Sequence, residues 1–115
     1  MDRSSFESWL ESYVRPWEAR NPEPMRDIWA EDATYWWGPY NEPRHGREAI
    51  YEHHANAIRT QDKIKFKYEI LATSRDTGVA RFWLTLVNTK TGLHNEYDGI
   101  FAVCLNGDKD RKSVV

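Results

Sequence analysis

The stretch KIKFKYEI, residues 63–70, alternates charged and apolar side chains without interruption. Because neighbouring side chains of a β-strand point to opposite faces, this pattern predicts a strand with one buried face and one solvated face. Turn residues then separate two further apolar stretches, 79–88 and 93–105, and the pair Asn106-Gly107 is a strong hairpin signal. The second half of the chain is therefore predicted to be an antiparallel meander.

The end of the chain does not continue this pattern. Residues 108–115, DKDRKSVV, follow the hairpin signal but show neither alternation nor an apolar run. A strand there would have no readable inner face. The last strand of the domain, residues 1–115, is therefore predicted to be very short, or the domain to be truncated at this point.

The first half of the chain has helical spacing instead. Large apolar residues recur every three or four positions between Ser4 and Arg20, as on one side of an amphipathic helix. Ser4 or Ser5 is predicted to cap this helix, and Pro16 to kink it or to start a second short turn, because proline removes an internal hydrogen bond. Three helical segments on one face of a curved, mainly antiparallel sheet would make an α+β fold. The remaining elements are predicted to be a short helix, a short strand and a third helix, at residues 24–30, 34–37 and 47–60.

Composition excludes several classes of function. The 115 residues suffice for one hydrophobic core, and a net charge of −2 with dispersed Lys and Arg leaves no footprint for nucleic acid or an anionic membrane surface. No segment approaches the roughly 20 apolar residues of a membrane span. The N-terminus has no apolar run of signal-peptide length, so a soluble cytoplasmic protein is expected. Cys104, the one cysteine, lies in an apolar run and is predicted to be a buried thiol.

Aromatic residues are the unusual part of the composition. The chain has six Trp, six Tyr and four Phe, and each ring can bury about 150–250 Å². Four rings fall in YWWGPY, residues 35–40. Along a strand, Tyr35 and Trp37 point one way and Trp36 the other. Such rings either fill a core or line a cavity, and their positions in the sequence leave both possibilities open.

Longer pieces of the chain resemble a known family. FESWLESYVRPWEARNPEPMRDIWAEDATYWWGPYNEPRHGREAI and YDGIFAVCLNGDK follow one another as in the SnoaL-like branch of the nuclear transport factor two-like superfamily. The resemblance covers nearly the whole chain up to Lys109 and implies a cone, in which a strongly curved sheet wraps three helical segments. A pocket would lie between the first helix, the third helix and the concave sheet face. Members include isomerases, dehydratases, epoxide hydrolases and polyketide cyclases, and others only bind or dimerise, so the fold does not fix the activity.

Ketosteroid isomerase is the mechanistic template that this resemblance offers. Its first-helix tyrosine matches Tyr13, which is expected to hydrogen-bond a substrate oxygen. Trp37 and Phe101 stand where the isomerase has its general base and its proton-donating acid. Since neither an indole nor a phenyl ring exchanges a proton in this way, steroid-isomerase chemistry is excluded.

Two other side chains are candidates for moving a proton. Asp98 lies in the DGIF motif, but it is out of phase with Phe101 and would face outward unless Gly99 forms a bulge; the alternative role is an ion pair with an Arg. His53 and His54 are about 100° apart on the predicted helix, so one of them is expected to face the interior. His54 is favoured as the catalytic histidine, and a purely structural histidine is the alternative.

The combined hypothesis is a protein that binds a small apolar or aromatic metabolite in a ring-lined pocket. Cofactor-free acid–base chemistry, of the lyase, isomerase, cyclase or hydrolase kind, is one form of it, and a non-catalytic binding or dimerisation module is the alternative. No metal-ligand spacing and no glycine-rich phosphate loop is present, so neither a metal nor a cofactor is expected. A homodimer is expected through the outer sheet face at Trp83, unless Lys stems shield that ring. The rings expected to line the pocket are Trp17, Tyr35, Trp37, Tyr68, Phe82 and Phe101.

Overall fold

A computed structural model describes residues 1–115 as one six-stranded sheet with two α-helices and one short 3-10 helix. Across the sheet the strand order is β2-β1-β6-β5-β4-β3, and every neighbouring pair is antiparallel except β1 with β6. The helices are α1 (Arg3–Glu18), the 3-10 helix (Glu23–Asp27) and α2 (Arg47–Arg59). The strands are β1 (Trp29–Trp36), β2 (Arg44–His45), β3 (Gln61–Ser74), β4 (Thr77–Asn88), β5 (His94–Asn106) and β6 (Lys109–Val114).

The predicted meander is confirmed in β3, β4 and β5. Ile64, Phe66 and Ile70 of β3 are buried, whereas the charged residues between them are exposed. β4 pairs with β5 from Thr77 to Val87 without a register shift. The α+β class is therefore confirmed, with two α-helices and one 3-10 turn in place of the three helical segments expected.

α1 carries most of the helical side chains that cover the sheet. Its N-cap is Asp2, which accepts the backbone N–H of Ser5 at 2.8 Å, so the predicted serine cap is wrong. Pro16 lies in the last turn of the helix, and α1 ends just after it at Glu18. The buried residues of α1 are Phe6, Trp9, Leu10, Tyr13, Val14, Pro16 and Trp17.

β1 begins earlier than the sequence pattern predicted. The residues expected to form a short helix, 24–30, give a 3-10 helix that ends at Asp27, and the strand starts at Trp29. Trp29 pairs with Asp110 of β6, which is distant in the sequence. Tertiary pairing therefore overrides the local pattern in the first half of this strand.

The residues whose pattern predicted at most a very short strand form β6, in the middle of the sheet between β1 and β5. Opposite β5, Leu105 faces Asp110 and Cys104 faces Lys112. Arg111 is therefore one extra residue on β6, which is a β-bulge. The bulge breaks the alternation of inner and outer side chains, and this explains why the sequence of β6 shows no period of two.

The bulge also turns two polar residues of β6 toward the core. Before the bulge, Asp110 lies opposite the buried Leu105; after it, Ser113 lies opposite the buried Val103. Asp110 is 1% exposed and Ser113 is 2% exposed. Without the extra residue, one of the two would point to solvent, because the faces of a strand alternate.

The helices pack against the inner face of the sheet, where 24 buried apolar side chains form one cluster. α1 lies mainly over β3, and α2 over β1. Gly78 of β4 permits a close approach of α1, because a Cβ at this position would lie 2.5 Å from the ring of Phe6. Neither helix has the length and apolar character needed to cross a bilayer.

Candidate functional site

Tyr13 of α1 and His54 of α2 form a buried hydrogen-bonded pair, with 3.0 Å between the Tyr13 hydroxyl and His54 Nε2. His54 Nδ1 lies 2.9 Å from the carbonyl oxygen of Ile50, and a carbonyl can only accept. Nδ1 therefore carries the proton, and Nε2 accepts from the Tyr13 O–H. Burial lowers the pKa of His54 to about 3, so the ring is neutral at physiological pH.

Tyr35 of β1 brings a second phenol to this pair. Its ring centroid lies 4.7 Å from that of His54. Burial raises the pKa of Tyr35 to about 12. Burial, and then the neighbouring Tyr35, raise the pKa of Tyr13 well above its ordinary value. Both phenols are therefore protonated hydrogen-bond donors at neutral pH.

Asp110 supplies a carboxyl group to the same interior, and the sequence analysis did not identify it. The Ser113 hydroxyl and the backbone N–H of Lys112 donate to it, the latter at 2.7 Å. Burial raises the pKa of Asp110 to about 7, against the lowering effect of these hydrogen bonds. The only signal in the sequence would have been an acidic residue in a strand without alternation, where a bulge can turn it inward.

Trp29 connects Asp110 to the Tyr13–His54 pair. Its ring centroid lies 4.9 Å from that of His54. Its indole N–H is buried and lies close enough to the Asp110 carboxyl to help lower the pKa of that acid, although the two do not meet the distance and angle of a regular hydrogen bond. Trp29 therefore borders both the His54 ring and the Asp110 carboxyl.

The rings around Tyr13 pack against one another. The centroids of Trp9, Trp17, Phe66 and Phe101 lie between 5.3 and 6.0 Å from that of Tyr13. Four cavities on the outside of the molecule, one of them bordered by Trp9, Ile28 and Leu105, do not include Tyr13 in their lining. The chain's own rings therefore fill the space directly around Tyr13, where an open pocket was expected.

The structure brings some of the predicted lining residues together. Trp17, Tyr35 and Phe101 surround the Tyr13–His54 pair. Phe82 is half-buried at the edge of this group, 5.6 Å from Phe101.

Two predicted lining residues lie outside this group. Tyr68 is half-buried and donates its hydroxyl proton to Glu11 at 2.9 Å, at the outer side of α1. Trp37 follows the end of β1 and donates its indole N–H to the carbonyl oxygen of Glu42 at 2.9 Å. Its ring lies 4.9 Å from His53, which is half-buried between Trp37 and Tyr35.

Asp98 is not part of this interior. It lies on the outer face of β5, where Arg81 donates two hydrogen bonds to its carboxylate at 3.1 and 2.8 Å. The hydrogen bonds from Arg81 lower the pKa of Asp98, which is the opposite of the raised pKa expected for a buried acid. Gly99 makes no bulge, since β4 and β5 keep one register. The inward position expected for a catalytic Asp98 is therefore wrong, and the structure shows the alternative, an ion pair with Arg81.

The geometry and the sequence agree with one family. The family model of the SnoaL-like domain matches residues 10–109. The chain belongs to the SnoaL-like domain family. This SnoaL-like protein is thus a member of the nuclear transport factor two-like superfamily, as its motifs indicated. None of the curated proteins matches the chain in sequence.

Solved structures share the fold of this SnoaL-like protein at low sequence identity. SalBIII, an epoxide hydrolase/cyclase-like enzyme of pyran ring formation in the polyether salinomycin, has a TM-score of 0.84 at 13% identity, over 98% of this chain and 90% of that chain. A Catenulispora acidiphila protein with a ketosteroid isomerase-like fold, in complex with trimethylamine, has a TM-score of 0.80 at 13% identity, over 92% and 82%. A Mesorhizobium loti protein described as a SnoaL-like polyketide cyclase has a TM-score of 0.70 at 14% identity, over 95% and 96%. These likenesses show the fold alone.

Proposed function

We propose that this SnoaL-like protein binds a small apolar or aromatic molecule between α1, α2 and the inner face of the sheet, and carries out cofactor-free acid–base chemistry there. The observation that best supports this is the group of buried polar side chains, Tyr13, Tyr35, His54 and Asp110, which lie close together between the helices and the sheet. The reaction would be of the lyase, isomerase, cyclase or hydrolase kind, as the descriptions of two proteins with this fold suggest.

The phenols can orient such a ligand. Tyr13 already donates to His54, so Tyr35 is the phenol left to donate to a ligand oxygen. His54 then acts by holding Tyr13 in place rather than by moving a proton. Surrounding rings exclude water, and a hydrogen bond in such a site is stronger than the same bond in solvent.

Entry of a ligand requires side chains to move, because the rings around Tyr13 are in contact. Trp37 and His53 are the half-buried rings that separate Tyr35 from solvent. Trp37 is hydrogen-bonded within its own loop, to Glu42, and not to the core. A movement of this loop would therefore uncover His53 and Tyr35 without disrupting the packing of α1.

Binding is tested by calorimetric titration with 2-naphthol, 2-tetralone and indole, three small aromatic molecules that differ in their polar atom. At least one of the two oxygen-containing compounds is expected to bind at one site. Tyr35→Phe is expected to weaken that binding by roughly tenfold, since it removes one hydrogen bond to the ligand. Tyr40→Phe is the matched control, because Tyr40 is 99% exposed. If none of the three binds, or if both variants bind like wild type, the proposal fails.

An apolar row on the outer sheet face favours a second, non-catalytic function, which is dimerisation with another copy of the chain. In register, Trp36 pairs with Val114, Val114 with Ala102, and Ala102 with Val79. Trp36 and Val114 are 39% and 41% exposed, and Ile100 beside them on β5 is 56% exposed. A continuous apolar strip across four strands is more than scattered surface residues would give.

Charges of both signs lie at the edge of this row. In a twofold dimer the same surface of each subunit meets its copy, so a surface with both charges can be complementary to itself. Arg81 lies opposite Ile100 and pairs with Asp98. The Arg81 guanidinium also covers the ring of Trp83 at 4.6 Å, so Ile100 marks the interface better than Trp83 does. Sedimentation should show a two-subunit mass that Ile100→Glu converts to one subunit. Leu93→Glu, which changes an exposed apolar residue outside the row, should leave the mass unchanged, and a monomeric wild type would refute this function.

A further inference from the structure

We propose that the entrance to this interior is an anion site, in which Arg44 binds the carboxylate of a small aromatic acid whose ring lies against Trp37. This inference rests on the proposed function, because the ring of the acid would continue into the interior that Tyr35 borders. It adds to that function a class of ligand, the aromatic carboxylic acids, and a residue that selects it. We call Trp37, Arg44 and His53 the entrance cluster.

Strand pairing brings Arg44 to the inner face of the sheet. In β2, Arg44 lies opposite Tyr35 of β1. Residues directly opposite one another on paired strands point to the same face, so Arg44 shares the face of the buried Tyr35. The next residue, His45, lies on the other face, with its Nδ1 at 3.4 Å from the hydroxyl oxygen of Thr34. Of the two residues of β2, Arg44 is therefore the one that borders the interior.

The guanidinium of Arg44 has no acidic partner within the protein. Its central carbon lies 5.6 Å from the centroid of the Trp37 ring. The side chain is exposed and forms neither a salt bridge nor a hydrogen bond, whereas Arg81, for example, is held by Asp98. Its N–H donors are thus available to a ligand, and a planar guanidinium can bind a carboxylate through two parallel hydrogen bonds.

His53 is the second polar member of the entrance cluster. It lies on α2, with its ring centroid 4.9 Å from that of Trp37 and 5.5 Å from that of Tyr35. The ring is half-buried, and neither of its nitrogens is hydrogen-bonded within the protein. Burial, and then the charge of Arg44, lower the pKa of His53, so the ring is neutral at neutral pH. A neutral imidazole keeps one N–H donor, which can join Arg44 on a bound carboxylate.

The positive charge of Arg44 acts on the half-buried part of the entrance. It contributes to the lowered pKa of His53. The rings that contact His53 are neutral, and they are Tyr35, Trp37 and the buried His54. A positive potential at this place favours an anion, and the scarcity of water strengthens the charge-assisted hydrogen bonds that hold it. An arginine on the open surface, without such rings, would bind a carboxylate only weakly.

The class of ligand follows from the composition of the entrance cluster. One guanidinium matches the single charge of a carboxylate, whereas a phosphate dianion calls for more than one cation. The rings of Trp37 and His53 call for a flat, apolar body. Tyr35 follows on the same face as Arg44, and its phenol can donate to a second oxygen on that body. A hydroxylated aromatic acid therefore fits the entrance and the interior together.

The first test compares 6-hydroxy-2-naphthoate with 2-naphthol by calorimetric titration, because the two compounds differ only in the carboxylate. At neutral pH wild type is expected to bind the acid about tenfold more tightly, as one charge-assisted contact would give. Arg44→Gln is expected to reduce this difference to less than about twofold. Arg75→Gln is the matched control, because Arg75 is exposed on the turn between β3 and β4, at the opposite edge of the sheet from β2; it should retain the difference.

The second test locates the bound carboxylate beside His53. The ring signal lost in His53→Gln is followed through a pH titration by NMR. Saturating 6-hydroxy-2-naphthoate is expected to raise the pKa of His53, because a nearby negative charge favours the imidazolium ion and offsets Arg44. The uncharged 2-naphthol should not raise it. In Arg44→Gln without ligand the pKa of His53 should also rise, because the repelling charge is gone.

The outcomes separate this inference from the proposed function. Equal affinity for the two compounds, an advantage of the acid that survives in Arg44→Gln, or a His53 pKa that the acid does not raise would overturn the anion site and leave the proposed function intact. Binding of the acid that depends on Arg44, with none of 2-naphthol, 2-tetralone and indole bound, would support the carboxylate contact and reject ligand binding in the interior. If no compound binds, both proposals fail.

Discussion

Replacing Asp110 with Asn is predicted to remove a large pH dependence from the stability of the protein. Burial raises the pKa of Asp110 from 3.8 to about 7. Because the folded pKa exceeds the unfolded one, the native state binds more protons in the window between these two values. The free energy of unfolding therefore falls as the pH rises through this window, and it levels off above the folded pKa.

The size of the effect follows from the shift, which is about three pKa units from 3.8 to about 7. At 1.36 kcal/mol per unit, Asp110 costs the folded state about 4 kcal/mol once it is ionised. His54 acts in the opposite direction, because its pKa is lowered to about 3 and its contribution is lost as the pH falls. Comparing Asp110→Asn with wild type cancels the His54 contribution, since both proteins contain it.

Urea denaturation followed by tryptophan fluorescence at several pH values measures this difference. Asn has the same shape as Asp and can still accept from Ser113. The stability of wild type relative to Asp110→Asn should fall by about 3 kcal/mol between pH 5 and pH 8. Asp108→Asn should show no such trend. Parallel stability curves for wild type and Asp110→Asn would refute the reasoning.

Three further substitutions test individual contacts by denaturation. Tyr13→Phe should cost about 1–3 kcal/mol, because it leaves His54 Nε2 buried without a donor; a cost near zero would contradict the pair. Gly78→Ala should cost about 1–3 kcal/mol, because the new Cβ meets the Phe6 ring, and wild-type stability would disprove this close approach. Asp98→Asn should change stability by less than about 1 kcal/mol and leave the binding of 2-naphthol and 2-tetralone unchanged, because the pair with Arg81 is exposed; a loss of binding would return Asp98 to the site.

The meander could be predicted because its strands keep a strict period of two. In β3, Ile64 and Phe66 alternate with lysines. The folded structure buries the apolar residues and exposes the lysines, as this pattern indicates. The outward position of Asp98 followed from the same parity relative to Phe101. The structure adds that Gly99 makes no bulge, so this parity holds along β5.

β6 could not be predicted, because the bulge at Arg111 changes the parity within six residues. Asp110 looks like one of several charged residues at the end of the chain, and its burial depends on pairing with Leu105 and Trp29. A bulge leaves no fixed mark in a single sequence. The buried carboxyl group of Asp110 could therefore not be predicted from the sequence.

The sequence also could not show whether the space between the inner rings is empty or filled. Tyr13 and Phe101 were correctly expected to be near one another, with a ring centroid distance of 6.0 Å. Whether the space between such rings is empty depends on their rotamers and on close packing, which spacing along the chain does not determine. The position of the Trp37 ring could not be predicted for the same reason. Its indole N–H is hydrogen-bonded to Glu42 in its own loop and does not face the core.

The most direct test of a ligand-binding interior is the indole N–H signal of Trp29 in a nitrogen-15 NMR titration with 2-naphthol or 2-tetralone. That signal should move and saturate with one of the two compounds, because Trp29 is fully buried beside His54 and Asp110 and a ligand in the interior would contact it. If only the half-buried or exposed rings, Trp36, Trp37 and Trp83, respond while Trp29 does not, the ligand stays outside and the account is contradicted.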